Sequence, residues 1–357
     1  MAGSSRRAPA FRHHGGALAA ELEALALGPD DVLDFSVNVN PYGPCPEVLA
    51  AVRSAPVHRY PDPSALAVRR GVSAATGAHP DEVVFGAGAA DLLWTVCRAL
   101  FAGGGTALAV EPSFSEFGAA ADAAGARLVR WTARAEDAFA PDLDGVAAAA
   151  RREQADAVYL CAPTTPVGAP VPLAAVRTLA QRLPATIVIL DESFLSLSDG
   201  AEESALSLPA NVVRLRSMTK EHAIPGLRAG YLLAPAPLAR AVEVSRPAWS
   251  TSSVAQAAAL AALGASAFVS ASRERLRADR EATATSLRAL GLAPLFSVAP
   301  YLVFRADDAA GLRSRLLRRR VLVRDCASFG LAGFVRVAAR PTAEREQLVD
   351  ALAKELG

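Results

Sequence analysis

Residues 157–194 read AVYLCAPTTPVGAPVPLAAVRTLAQRLPATIVILDESF, and the order of patterns within them decides the fold class. Two apolar, β-rich runs, AVYLC at 157–161 and TIVIL at 186–190, bracket a helical pattern over Leu173 to Leu183. The same rhythm extends outward from about Pro80 to Leu233. VVF at 83–85, ALAV at 107–110, RLVRW at 127–131, VVRL at 212–215 and YLL at 231–233 read as strands, with a helix over Ala89 to Phe101. Strands alternating with helices predict an α/β domain, a mostly parallel sheet covered on both faces, whose ligands sit beyond the carboxyl ends of the strands.

Beyond Pro247 the texture changes. An alanine-rich helix is expected around Val254 to Leu263, then a long charged helix from about Ser270 to Leu290 that Gly291 terminates. YLVF at 301–304, a helix through Leu312 to Arg318, the strands VLVR and FVRVAA, and a closing helix capped by Thr342 complete a smaller α+β domain. The expected organisation is an N-terminal arm over 1–44 joining the small domain, a large domain over 45–246 and the small domain over 247–357.

Of the 357 residues, 52% are apolar and 20% charged, enough to bury a large interior, and no apolar stretch is long enough to cross a bilayer. Lysine plus arginine number 37 against 36 acidic residues, so no global field recruits nucleic acid or anionic lipid, and small molecules are the expected partners. Cys45, Cys97, Cys161 and Cys326 are scattered without a C-x-x-C pair, which argues against a metal site or a disulfide framework and fits a reducing cytosol. The basic stretch MAGSSRRAPAFRHH has no apolar segment behind its arginines and is not read as a secretory signal, so the expected localisation is cytoplasmic.

The chemistry concentrates after the strand at 212–215. LRSMTKEHAIPGLRAGYLLA places Ser217, Thr219, Lys220 and Arg228 within a dozen residues, with Gly230 just beyond. Hydroxyls before a lysine and an arginine eight residues after it suit a dianionic phosphate held beside an amine that forms a Schiff base. Asp191 ends the apolar strand TIVIL, which puts a carboxylate at the carboxyl end of a buried strand. In FGAGAADLL, Gly86 and Gly88 stand between a strand and a helix, as at a helix N-terminus whose amides face a phosphate.

Taken in order, these motifs resemble the fold-type I pyridoxal-phosphate enzymes of the class I/II aminotransferase superfamily, across almost the whole chain. The resemblance implies the aspartate aminotransferase-like fold and pyridoxal 5′-phosphate as cofactor. It makes Lys220 the Schiff-base residue and Asp191 the partner of the pyridine nitrogen, both catalytic. Ser217, Thr219, Arg228, Gly88 and the backbone amides of Ala89 and Ala90 would hold the cofactor phosphate, and Phe114 would stack on the ring. Tyr60, in HRYPDP, would reach the cofactor phosphate of a neighbouring subunit, which implies a homodimer.

Four positions depart from the family pattern. In the turn APTTPVG at 162–168, Thr165 replaces the asparagine that bonds the cofactor's phenolic oxygen, and Phe194 replaces a tyrosine that many members direct at the same atom. Ala87 and Ala89 likewise stand in for an asparagine and a serine in the glycine-rich turn.

HGG at 14–16, DFSVNVNPYGP at 34–44 and AIPGLRAGYLLA after the lysine are most similar to the threonine-phosphate decarboxylase and histidinol-phosphate aminotransferase branch. That similarity implies Arg336 as a substrate-anion arginine and places Arg324, Arg340 and His14, with its neighbour Gly15, around a substrate phosphate. Asn38 or Asn40 would line the substrate pocket. The first expectation is decarboxylation of an O-phosphorylated amino acid in the cobalamin side-chain pathway, and the alternative is transamination, as of histidinol phosphate. A third reading is a protein that binds pyridoxal phosphate or a phosphorylated metabolite without turnover.

Overall fold

The computed structural model describes residues 14–356. After a short strand β1 (Leu33–Asp34), seven strands build the large lobe: β2 (Val83–Gly86), β3 (Thr106–Glu111), β4 (Arg127–Thr132), β5 (Ala157–Cys161), β6 (Ile187–Asp191), β7 (Val212–Ser217) and β8 (Gly230–Leu233). They lie in the order β2-β8-β7-β6-β5-β3-β4, and β8 alone runs antiparallel to its neighbours. Successive side chains of a strand point to opposite faces, and here both faces are covered. Tyr159 and Cys161 join one core with Leu92, Val96, Phe117 and Val213, while Val158 and Leu160 join the other with Val146, Val176 and Leu179. That double coverage is why AVYLC reads as an uninterrupted apolar run.

Register aligns the carboxyl ends that carry the chemistry. Cys161 pairs with Asp191 and Asp191 with Leu215, so the turn after β5, the Asp191–Phe194 segment and the turn after β7 open at one edge. Gly230, at the start of β8, is required by close approach: a Cβ there would stand 2.8 Å from the Ala89 nitrogen.

The small lobe has a three-stranded antiparallel sheet made of β9 (Tyr301–Arg305), β11 (Arg324–Asp325) and β12 (Phe334–Ala338), in the order β11-β12-β9. β1 pairs in parallel with β10 (Val321–Leu322), which ties the N-terminal segment to this lobe. Phe35, Leu287, Phe304, Leu316, Val335 and Leu348 form its core. Each large apolar side chain buried this way contributes about 1.5–3 kcal/mol before the entropy of ordering it is subtracted.

One sequence expectation changes. The run VLVR does not form one strand, because Val321–Leu322 pairs with β1 whereas Arg324–Asp325 pairs with β12. Helix Ser253–Leu263 packs Ala258, Ala259 and Ala262 among Val48, Val68, Val72 and Phe85 of the large lobe, where methyl-sized side chains let helices approach closely. Helix Ser266–Ala289 then bridges the lobes, with Phe268 against the large-lobe core and Leu287 inside the small one. Among the described residues, no single helix is long and apolar enough to cross a membrane.

Candidate active site

A cavity of about 220 Å³ opens between the lobes at the carboxyl ends of β5, β6 and β7. Its walls include Lys220, Asp191, Phe114, Asn38, His14 and Arg336.

Lys220 stands on a single helical turn, Met218–Glu221, that follows β7 directly. Its Nζ donates to Ser217 Oγ at 3.4 Å and lies 4.8 Å from the centroid of the Phe194 ring. Burial pushes the lysine below its ordinary pKa, and the nearby Asp191 acts in the opposite direction. Desolvation of this kind disfavours the protonated form and so favours the nucleophilic amine.

Next to it, Ser217 Oγ and Thr219 Oγ1 lie 2.7 Å apart. Arg228 adopts a left-handed φ of 55°, donates from Nη1 to the Pro225 carbonyl at 3.1 Å, and packs its guanidinium over Gly88. Gly88 has φ 92° and caps helix Ala89–Phe101, whose first amides have no intrahelical partner; a Cβ on Gly88 would sit 2.8 Å from Arg228 Nη2. Hydroxyls, a guanidinium and the amides of Ala89 and Ala90 thus converge as a phosphate cradle.

Asp191 accepts two hydrogen bonds: the Ser193 amide donates to Oδ1 at 2.9 Å and the Tyr159 hydroxyl to Oδ2 at 2.9 Å. Burial, reinforced by the Asp191 charge, pushes Tyr159 well above its ordinary pKa, so the phenol remains a donor. Two donors fix the orientation of the carboxylate. Tyr159 is not among the residues expected from sequence, and its only signal there is a hydroxyl-bearing ring in an otherwise aliphatic strand.

Phe114 lines the cavity and meets the His14 ring at 4.9 Å with a 54° tilt. The Glu116 carboxylate holds His14, with Nε2 2.6 Å from Oε1, and also accepts from Trp94 Nε1 at 2.6 Å. Thr165 and Phe194 face the same cavity, and Phe194 packs edge-on against Tyr301.

At the far end, Arg336 donates from Nη2 to the Ser36 carbonyl at 3.0 Å, while its buried Nε has no partner among the described residues. Both polar atoms of the Asn38 side chain and His14 Nδ1 are also buried and without a partner among those residues. Arg324 is directly opposite Arg336 across β11 and β12. Burial, followed by the Arg336 charge, pushes Arg324 down to about 10.

Five predicted residues lie elsewhere. Arg324 is off the cavity wall, its Nη2 donating to Ser328 Oγ at 2.7 Å. Of the pair Asn38 and Asn40, Asn38 lines the cavity, whereas Asn40 fastens the lysine turn: its amide donates to the Lys220 carbonyl and its Nδ2 to the Glu221 carbonyl, each at 2.9 Å. Arg340 is engaged by the Asp34 carbonyl at 2.5 Å and by Glu344 at 3.3 Å, outside the cavity wall. Gly15 packs against the arm, where a Cβ would meet the Ser36 carbonyl oxygen at 2.9 Å. Tyr60 is 77% exposed and stacks on Trp249 at 4.7 Å, away from this cavity.

The sequence model of the family described as aminotransferase class I and II matches residues 30–352. The chain belongs to that family. A histidinol-phosphate aminotransferase from Anaeromyxobacter sp. (strain Fw109-5) is 33% identical over 339 residues, 92% of each chain. A threonine-phosphate decarboxylase from Salmonella typhimurium is 32% identical over 354 residues, 95% of each. The solved histidinol-phosphate aminotransferase from Sinorhizobium meliloti, in complex with pyridoxal 5′-phosphate, superposes with a TM-score of 0.87 at 25% identity, covering 99% of this chain and 98% of that one.

The fold is therefore the aspartate aminotransferase-like one, and the family's cofactor is pyridoxal 5′-phosphate. The donor set of this class I/II chain fits it. The cradle around Gly88 and Arg228 suits a phosphate, Asp191 suits a protonated ring nitrogen, Phe114 offers a flat apolar face, and Lys220 offers the amine.

Proposed function

We propose that this chain uses pyridoxal 5′-phosphate to act on a phosphorylated amino acid or amine, and that its reaction is the decarboxylation of O-phosphothreonine or a close analogue. The observation that carries this reading is the buried Arg336 on the cavity wall, its Nε unsatisfied among the described residues, beside the Asn38 side chain and His14 Nδ1, which are unsatisfied in the same sense. A guanidinium held away from water is costly alone and becomes favourable beside an anion, and its donors match phosphate oxygens in pairs.

When bound, pyridoxal phosphate supplies an electron-withdrawing ring that stabilises negative charge at the substrate's α carbon. The chain's own residues decide which bond at that carbon is broken. Asp191, oriented by Tyr159 and the Ser193 amide, would pair with the ring nitrogen and favour its protonated form. Lys220 provides the attaching amine and afterwards moves a proton at the reacting carbon. If the substrate phosphate occupies Arg336, the α-carboxylate loses its guanidinium and becomes the group that departs.

A second reading, transamination of histidinol phosphate, is supported by the 33% identity to a histidinol-phosphate aminotransferase. In that case Lys220 shuttles the α proton and a keto acid is consumed. Both readings make the active unit a cytoplasmic homodimer in which the exposed Tyr60 reaches the partner's cofactor phosphate. The experiment is a product assay on purified, cofactor-loaded protein. Carbon dioxide and a phosphorylated amine from phosphothreonine support decarboxylation. Keto-acid-dependent consumption of histidinol phosphate without carbon dioxide selects transamination.

A further inference from the structure

The loop carrying Thr165 is fastened from the small lobe by Tyr301, a residue with no part in the chemistry so far assigned. Tyr301 opens β9 and is fully buried. Its hydroxyl donates to the Thr164 carbonyl at 3.0 Å, and its oxygen lies 3.4 Å from Thr165 Oγ1. A phenol has one proton, and a carbonyl can only accept. The Tyr301 proton therefore goes to Thr164, and towards Thr165 the phenol is an acceptor. Burial keeps Tyr301 far above its ordinary pKa, so that proton is retained, and the bond to Thr165 acts in the lowering direction expected of a donor. The Cys161 thiol, also in contact with Thr165, gives its own proton to the Tyr159 hydroxyl at 3.4 Å and meets Thr165 as an acceptor as well. The Tyr301 ring is held by Phe194, edge-on at 5.0 Å and 78°, with the Arg336 guanidinium 5.3 Å from its centroid.

We infer that Tyr301 is a positioning residue that draws the single Thr165 proton inward, so that position 165 offers the cofactor's phenolic oxygen lone pairs and not a donor. The inference rests on the proposed placement of Thr165 against that oxygen. An asparagine there has an N–H to give, and a tyrosine at 194 has an O–H; Thr165 held by Tyr301, beside Phe194, supplies neither. Negative charge on the phenolic oxygen is then less stabilised, and the proton it shares with the lysine-derived nitrogen is held more tightly.

The test is a pH titration of the visible absorbance of the pyridoxal-phosphate-loaded protein, read beside the dissociation constant for the cofactor. Thr165→Asn supplies a donor and lowers the titration midpoint by about one pH unit. No movement means that position 165 does not face the phenolic oxygen, and the inference falls with that placement. Given that movement, Tyr301→Phe in a Cys161→Ala background frees the threonine proton from both inward acceptors and lowers the midpoint in the same direction, while with Thr165→Val added it leaves the midpoint where it stands. A midpoint that Tyr301→Phe leaves unchanged or raises in the Cys161→Ala background, with Thr165→Asn lowering it, overturns the role of Tyr301 and keeps the placement of Thr165. Looser cofactor binding in both backgrounds without any movement of the midpoint marks Tyr301 as structural only and likewise overturns the inference.

Discussion

Tyr159 donates its phenolic proton to Asp191 Oδ2 at 2.9 Å from the neighbouring strand, so the carboxylate assigned to the ring nitrogen is oriented from inside the sheet. Removing that donor leaves Asp191 with the Ser193 amide alone. Tyr159→Phe is expected to lower kcat/KM about tenfold, since a hydrogen bond to a charged group contributes about 1.5–3 kcal/mol. Asp191→Asn removes the charge itself and is expected to cost about 10³-fold. Steady-state kinetics on both variants check this; equal losses would mean that Tyr159 does more than orient the carboxylate.

Gly88→Ala tests the phosphate cradle. The new methyl carbon would meet Arg228 Nη2 at 2.8 Å, and φ 92° is a conformation that alanine adopts only with strain. Displacing the guanidinium weakens cofactor binding about tenfold or more, and the strain costs the cofactor-free protein about 1–3 kcal/mol of stability. Equilibrium dialysis and thermal melts separate the two effects. An alanine variant with unaltered cofactor affinity removes Arg228 from the cradle.

The parts of this molecule that local pattern dictates are the parts legible from sequence. Strands buried on both faces appear as apolar runs, and the glycine, hydroxyl and arginine spacing around Lys220 marks the cradle. Other features depend on partners far away in the chain. Whether VLVR is one strand or two depends on β1 and β12 lying on either side of it, nearly 300 residues away and a dozen residues away. The alanine-rich helix Ser253–Leu263 carries no bulky stripe to say which lobe it joins. Tyr159 and Tyr301 read as strand residues because their work lies in one hydroxyl each, aimed at residues 32 and 137 positions distant.

The anion end separates two arginines that look alike in sequence. Arg336 lines the cavity with its Nε unsatisfied, whereas Arg340 is committed to Asp34 and Glu344. Arg336→Met is expected to reduce kcat/KM for a phosphorylated substrate by about 10²-fold or more, with the loss mostly in KM. Its cofactor-free stability should hold or rise, because a buried charge with only the attraction of Asp34 to offset its desolvation has been removed. Arg340→Met should do the reverse, leaving KM within about threefold and lowering the melting temperature through the lost ties to the arm. Comparable effects on KM from both would return Arg340 to the substrate site.

Lys220 links the site to stability. Burial holds its pKa in the folded chain below the ordinary lysine value of 10.5, against the pull of Asp191. Between that lowered value and 10.5 the unfolded chain binds more protons than the folded one, so this residue's contribution makes stability rise with pH across the window. Below the lowered pKa the folded protein must carry the buried charge, and the full cost is present. Lys220→Met keeps the length and apolar stem of the side chain while removing that charge. In cofactor-free protein the variant should therefore melt above wild type at neutral and acidic pH, and the gap should close as pH rises towards 10.5. Titrating groups remote from Lys220 are common to both proteins and cancel in the difference. Thermal melts at a series of pH values measure the gap; one that stays constant, or widens with rising pH, would show that Lys220 is not held below its ordinary pKa in the empty cavity.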